Sequence, residues 1–267
     1  MPVLNFEQTN SAPYPVADAG VGGAITVCLA FNDPMVAFLT QTPNDDEVVY
    51  LSLGLDNEYR RHVTPAGRVV ISGMGYNPIT RKIWCSSTTT QMDEVFSFDP
   101  ETGLEIAALN LAADSPTTYS HGLGTNGFMF VRSAGNLLEL RTMGGFKIGE
   151  KNFSGRQIRG ATASPFSWTF GDANTDEIVV VGAFGNELAT ATAPGASGGL
   201  MAIAYDYVTD HSAMPQIIPP DGIIGPPGSN THPDTPWNPA PWAGRHRLYI
   251  ANETDQMIYA GYLTAGP

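Results

Sequence analysis

Residues 73–106 read GMGYNPITRKIWCSSTTTQMDEVFSFDPETGLEI, four short β-compatible runs separated by turn chemistry. Gly73 to Pro78 is small and apolar, Lys82 to Ser86 is rich in β-formers, Val95 to Phe98 alternates around Ser97, and Leu104 to Leu109 follows Asp99-Pro100-Glu101-Thr102-Gly103. Aspartate, proline and glycine in that order favour a tight turn, because Asp bonds its own backbone, Pro presets φ and Gly tolerates φ > 0. Four strands in so short a span suggest one unit of a repeat architecture.

Two registers carry that unit along the chain. An acidic or amide turn leads into an apolar strand at Asp46-Glu47-Val48, Asp93-Glu94-Val95, Gly135-Asn136-Leu137, Asp176-Glu177-Ile178 and Asp255-Gln256-Met257, with steps of 47, 42, 41 and 79 residues. A glycine leads into a small-residue strand at Gly23, Gly73, Gly122, Gly160 and Gly199, with steps of 50, 49, 38 and 39. Both registers count five units, and a period of this size holding four strands is that of a propeller blade. Glycine belongs where innermost strands converge on an axis, since a Cβ there would collide with its neighbours. The expected fold is all-β: a single domain over residues 1–267, a five-bladed β-propeller of four-stranded antiparallel blades at 22–63, 69–111, 121–153, 158–192 and 200–267. Blade five lacks a fourth strand, and the unused apolar Pro2 to Phe6 is expected to complete it, with residues 1–10 closing the ring.

Blade five is interrupted by a proline-rich insertion, residues 211–245, that includes Pro215, Pro219, Pro220, Pro226, Pro227, Pro233, Pro236, Pro239 and Pro241. Proline at that density supplies few ladder donors and reads as loop. Its Ile217, Ile218, Ile223, Ile224, Trp237 and Trp242 are candidates for protein contact, with packing on blade five as the alternative.

The 267 residues carry 13 Lys and Arg against 26 Asp and Glu. This balance argues against nucleic acid, which demands clustered basic side chains, and against an anionic membrane surface. No stretch is long and apolar enough to span a bilayer, and no Sec-type signal peptide is expected, which leaves a virion or cytoplasmic location. Cys28 and Cys85 lie in apolar segments and read as buried thiols.

Blade two resembles the repeats of lactonase-like, NHL and streptogramin-lyase-like propellers through Tyr76-Asn77-Pro78, Ile83-Trp84-Cys85 and Phe98-Asp99-Pro100-Glu101-Thr102-Gly103. Metal-dependent members of that group hold a cation with Glu, Asn and Asp reaching the channel from the inner strands. The corresponding positions here are Gly22, Ser72, His121, Arg159 and Gly198, which offer no carboxylate and depart from the metal pattern. In its Thr, Asn, Ala, Gly and Pro content and its shortage of Lys, the chain also looks like accessory proteins of bacteriophage particles.

Ser72, His121 and Arg159 are candidate ligand-binding residues at the channel mouth, where an imidazole and a guanidinium suit an anionic or sugar ligand. The alternative is that His121 caps a turn and Arg159 pairs with a carboxylate. No cofactor is expected; the place nearest to a Ca²⁺ loop is Asp172, Asn174 and Asp176 within a rim of acidic turns. His211, His232 and His246 lack the fixed short spacing of a zinc site. No nucleophile elbow, paired catalytic carboxylates or phosphate-binding loop is present. Glu139 reads as an exposed or paired strand residue. These readings favour a non-enzymatic binding or assembly module, with a tail or capsid-decorating virion component that contacts other proteins or a surface glycan as the expected setting. A lactonase-like or glycan-active hydrolase or lyase is the alternative.

Overall fold

A computed structural model describes residues 2–8, 13–16, 25–30, 35–41, 46–52, 54–65, 71–77, 79–89, 92–111, 122–163, 167–183, 185–206 and 247–265. The chain is all-β there. After β1 (Val3–Gln8) and the short β2 (Tyr14–Pro15), β3 (Ile25–Ala30), β4 (Met35–Gln41), β5 (Asp46–Ser52) and β6 (Glu58–Val63) form one antiparallel sheet. The second sheet is β7 (Ile71–Asn77), β8 (Lys82–Thr89), β9 (Met92–Phe98) and β10 (Glu105–Asn110). The third is β11 (Leu123–Thr125), β12 (Met129–Ala134), β13 (Leu137–Thr142) and β14 (Lys147–Asn152).

The remaining strands make one larger sheet. β15 (Ile158–Ala163), β16 (Ser167–Asp172), β17 (Glu177–Gly182) and β18 (Glu187–Thr192) run as a fourth meander, and β19 (Leu200–Asp206), β20 (Arg247–Asn252) and β21 (Met257–Ala265) as a fifth. β1 lies between them. It pairs antiparallel with β21, from Leu4 opposite Ala265 to Gln8 opposite Gly261, which is the place expected for residues 2–6. It also pairs parallel with β18 through Val3 opposite Thr190 and Leu4 opposite Ala191, a junction that the sequence reading did not foresee.

Successive strands of a meander point alternate side chains to opposite faces, and here both faces are covered. Val36 and Phe38 pack with Tyr249 and Ile258 of the fifth meander, while Ala37 packs with Ile71, Cys85 and Phe96 of the second sheet. Further layers join the second and third sheets (Trp84, Val95, Leu123, Phe130), the third and fourth (Val131, Leu138, Phe170, Val179), and the fourth and fifth (Ile178, Ala191, Ile203, Ile250, with Leu4 of β1). Double burial is why β4 and β17 read as nearly unbroken apolar runs instead of alternating ones. Cys85 is a free, buried thiol.

The first strands pack in a cycle: β3 on β7, β7 on β11, β11 on β15, β15 on β19, and β19 on β3. Their approach is backbone to backbone. A Cβ on Gly122 would meet Ala161 N at 2.5 Å, and one on Gly160, at φ +65°, would meet Ala202 Cα at 2.7 Å. The glycine register seen in the sequence marks this convergence.

Candidate functional site

Three of the first strands open with a β-bulge: between Ile71 and Gly73 in β7, Arg159 and Ala161 in β15, and Leu200 and Ala202 in β19. A bulge kinks the strand and re-aims its side chains, so Ser72 and Arg159, two of the lead-in positions singled out in the sequence, sit at kinks. Ser72 is the bulged residue of β7, where only the backbone is described. Arg159 is half-buried and opposite Gly171. His121 lies outside the described residues, and so does any meeting of these three side chains. Ile217, Ile218, Ile223, Ile224, Trp237 and Trp242 also lie outside them.

The acidic turn after β16 is organised by a cation of the chain itself. Arg156, on the link between β14 and β15, donates from Nη1 to Asp172 at 2.9 Å and Glu177 at 2.8 Å, and from Nη2 to Glu187 at 2.7 Å. These charge-assisted bonds raise the guanidinium pKa further. Burial alone would push the Asp172 carboxyl up. The Gln157 and Asn174 amides, Arg156 and Thr175 outweigh it and hold the carboxyl below the usual range. The three residues considered for Ca²⁺ turn to separate partners. Asp172 spends both oxygens on donors, Asn174 donates to Gly155 O at 3.1 Å, and Asp176 accepts from Ser197 Oγ and Gly198 N. Among the described residues no three His, Cys, Asp or Glu side chains converge as metal ligands.

A second network was not legible as such in the sequence. Glu139 is fully buried, opposite Arg132 across the β12–β13 ladder and two residues from Arg141 on the same face. Its Oε2 accepts from Arg132 Nη2 at 2.6 Å and its Oε1 from Arg141 Nη2 at 2.8 Å, and Arg141 Nη1 donates to Gly145 O at 2.6 Å. Burial pushes the Glu139 carboxyl up, but the bonds and charges of Arg141 and Arg132 prevail and leave it lowered. Of the two states expected for Glu139, the paired one is found, inside the protein. Closed in this way, the triad ties β12 to β13 and to the β13–β14 turn inside the protein.

Several large apolar side chains stand exposed on the described surface. Ile79, Phe128 and Phe146 are 56%, 71% and 75% exposed. They occupy the β7–β8, β11–β12 and β13–β14 turns, which meander topology puts at one end of neighbouring sheets. The turns are tied together. A Cβ on Gly127, at φ +97°, would meet Ile79 Cδ1 at 2.7 Å, Asn77 Nδ2 donates to Gly127 O at 3.3 Å, and Met143 N donates to Phe128 O at 3.1 Å. The sequence signal was available: Gly127-Phe128 and Gly145-Phe146 each set an aromatic after a left-handed glycine, a turn geometry that projects the next side chain outward.

No protein-family model matches the chain, and no curated protein matches it in sequence. Solved structures do match in shape. Glutaminyl cyclase from Myxococcus xanthus, a β-propeller, superposes with a TM-score of 0.64 at 13% identity over 100% of both chains. Looser likenesses are the nidogen/laminin complex (TM-score 0.49, 15% identity, 65% of each chain) and BamB from Moraxella catarrhalis (0.41, 13%, 90% of this chain and 57% of that one). The likeness to the Myxococcus protein shows a propeller-type fold spanning the whole chain, and at this identity it shows the fold alone.

Proposed function

We propose that the chain is a non-enzymatic binding and assembly module on a five-bladed propeller, holding a protein partner against the apolar end of its second and third sheets. The observation that carries this reading is the exposure of Phe128 and Phe146 beside Ile79. Fully burying one such side chain is worth about 1.5–3 kcal/mol, and grouped exposed aromatics are a feature of contact surfaces. The blade count is supported by the cyclic packing of β3, β7, β11, β15 and β19 and by the five apolar layers between sheets. The setting favoured by composition is a virion component, such as a tail or capsid-decorating protein; the structural likenesses are silent on it.

One observation favours a second reading, an enzyme: the full-length likeness to glutaminyl cyclase. The two separate in a paired experiment. A photo-crosslinking residue in place of Phe146, in the protein's native setting, is expected to yield a discrete protein adduct, while purified protein is expected to show neither cyclisation of N-terminal glutaminyl peptides nor a stoichiometric divalent ion. Turnover without an adduct would favour the enzyme.

A further inference from the structure

The outer strands share a second bulge. One unpaired residue is inserted at Tyr59 in β6, Ile106 in β10, Ile148 in β14 and Leu188 in β18. Aligned on it, β10 reads Glu-Ile-Ala-Ala-Leu-Asn and β18 reads Glu-Leu-Ala-Thr-Ala-Thr. β18 is the strand whose edge receives β1, at Thr190 and Ala191 just beyond the bulge. The equivalent residues of β10 are Ala108 and Leu109, and β10 ends its sheet among the described residues. Ala189, Thr190 and Ala191 are buried under the added strand, whereas Ala107 and Ala108 are exposed.

The other outer edges are guarded. β6 carries Arg60, Arg61 and His62 beyond its bulge and β14 carries Glu150 and Lys151, charges that resist desolvation and blunt a sheet edge. β10 carries no charge from Ile106 to Asn110, and Leu104 and Ile106 flank it at 67% and 57% exposure.

We infer that the β10 edge is a strand-pairing interface that takes a second copy of this chain. Antiparallel pairing of β10 with its symmetry mate about a two-fold axis at Ala108 sets Ala108 against Ala108 and Ala107 against Leu109, with no like charges opposed. Two small alanines let bulky domains approach closely, and the self-complementary register favours a two-fold dimer over an unrelated peptide. The net charge of −13 per chain opposes association, so added salt strengthens it.

The interface rests on the assembly reading but is tested apart from it. Sedimentation velocity of the full chain is expected to show a reversible monomer–dimer equilibrium that shifts toward dimer with NaCl. Ala108→Lys is expected to abolish the dimer, and Glu150→Lys, at the equivalent position of β14, to leave it intact. Hydrogen exchange on the wild-type protein supplies a readout independent of variants, with the Ala108 amide, equivalent to the Thr190 amide that donates to Pro2 O, slowing as concentration rises. A wild-type protein that stays monomeric at every concentration and salt, or a dimer that persists in Ala108→Lys, overturns the inference. Either result leaves the partner site at Phe128 and Phe146 standing, because crosslinking from position 146 reads that site alone.

Discussion

Glu139 sits between Arg132 and Arg141 with no solvent to share its charge, so the energetics of the third sheet depend on all three being present. Removing one member of a buried ion network leaves the others charged and unpaired, at a cost of about 3–5 kcal/mol. Glu139→Ala is expected to lower the free energy of unfolding in urea by that amount, and replacing all three residues by Met or Leu is expected to recover most of it. His62 gives the protein a pH dependence of its own. Its Nε2 bonds the Tyr50 hydroxyl at 2.8 Å and its ring stands edge-on to Phe98, with Arg60, Asp99 and the Gly103 turn around it. Burial, then the nearby Arg60 charge, lowers its pKa below 6.5 despite bonds to the Val63 and Pro100 carbonyls. The unfolded chain therefore binds this proton first, and the stability present above the unfolded pKa is lost as pH falls toward the folded one. Thermal scans from about pH 7.5 to about pH 5.5 should show a decline in melting temperature that is shallower in His62→Gln. Neither device was readable beforehand. Charged letters in Phe130-Val131-Arg132 and Leu138-Glu139-Leu140 look the same whether the strand face meets water or another sheet.

β1 is the element on which closure of the larger sheet turns. It was legible as a strand because Pro2 to Phe6 is apolar and the last meander is one strand short. Its antiparallel pairing with β21 follows from that shortage. Its parallel pairing with β18 does not, since it depends on how two sheets meet in space, which no local pattern encodes. Leu4 anchors the layer of Ile178, Ala191, Leu200 and Leu263. Deleting residues 1–8 should expose this layer and two strand edges together, lowering the melting temperature and broadening the transition in calorimetry. An unchanged melting curve would contradict the closing role.

At the scale of the whole molecule, the cyclic packing of the first strands and the apolar layers between sheets make the packed body, and the Arg132–Glu139–Arg141 network lies buried within the third sheet. Gly122 and Gly160 announced this convergence in the sequence because only a residue without a Cβ fits there. The exposed end was announced only by Gly127-Phe128 and Gly145-Phe146, since the exposure of these rings is decided by turn geometry and by how the sheets pack around them. The acidic rim, read as the place nearest to a Ca²⁺ loop, is tied internally at Asp172, Asp176 and Glu177, whereas the aromatic end presents the exposed rings of Phe128 and Phe146. Its central test is therefore photo-crosslinking in the native setting from position 146, with position 174, an exposed turn residue at the other end of a neighbouring sheet, as reference. The account predicts one discrete protein adduct from position 146 and none from 174; equal or absent adducts at both positions would contradict it.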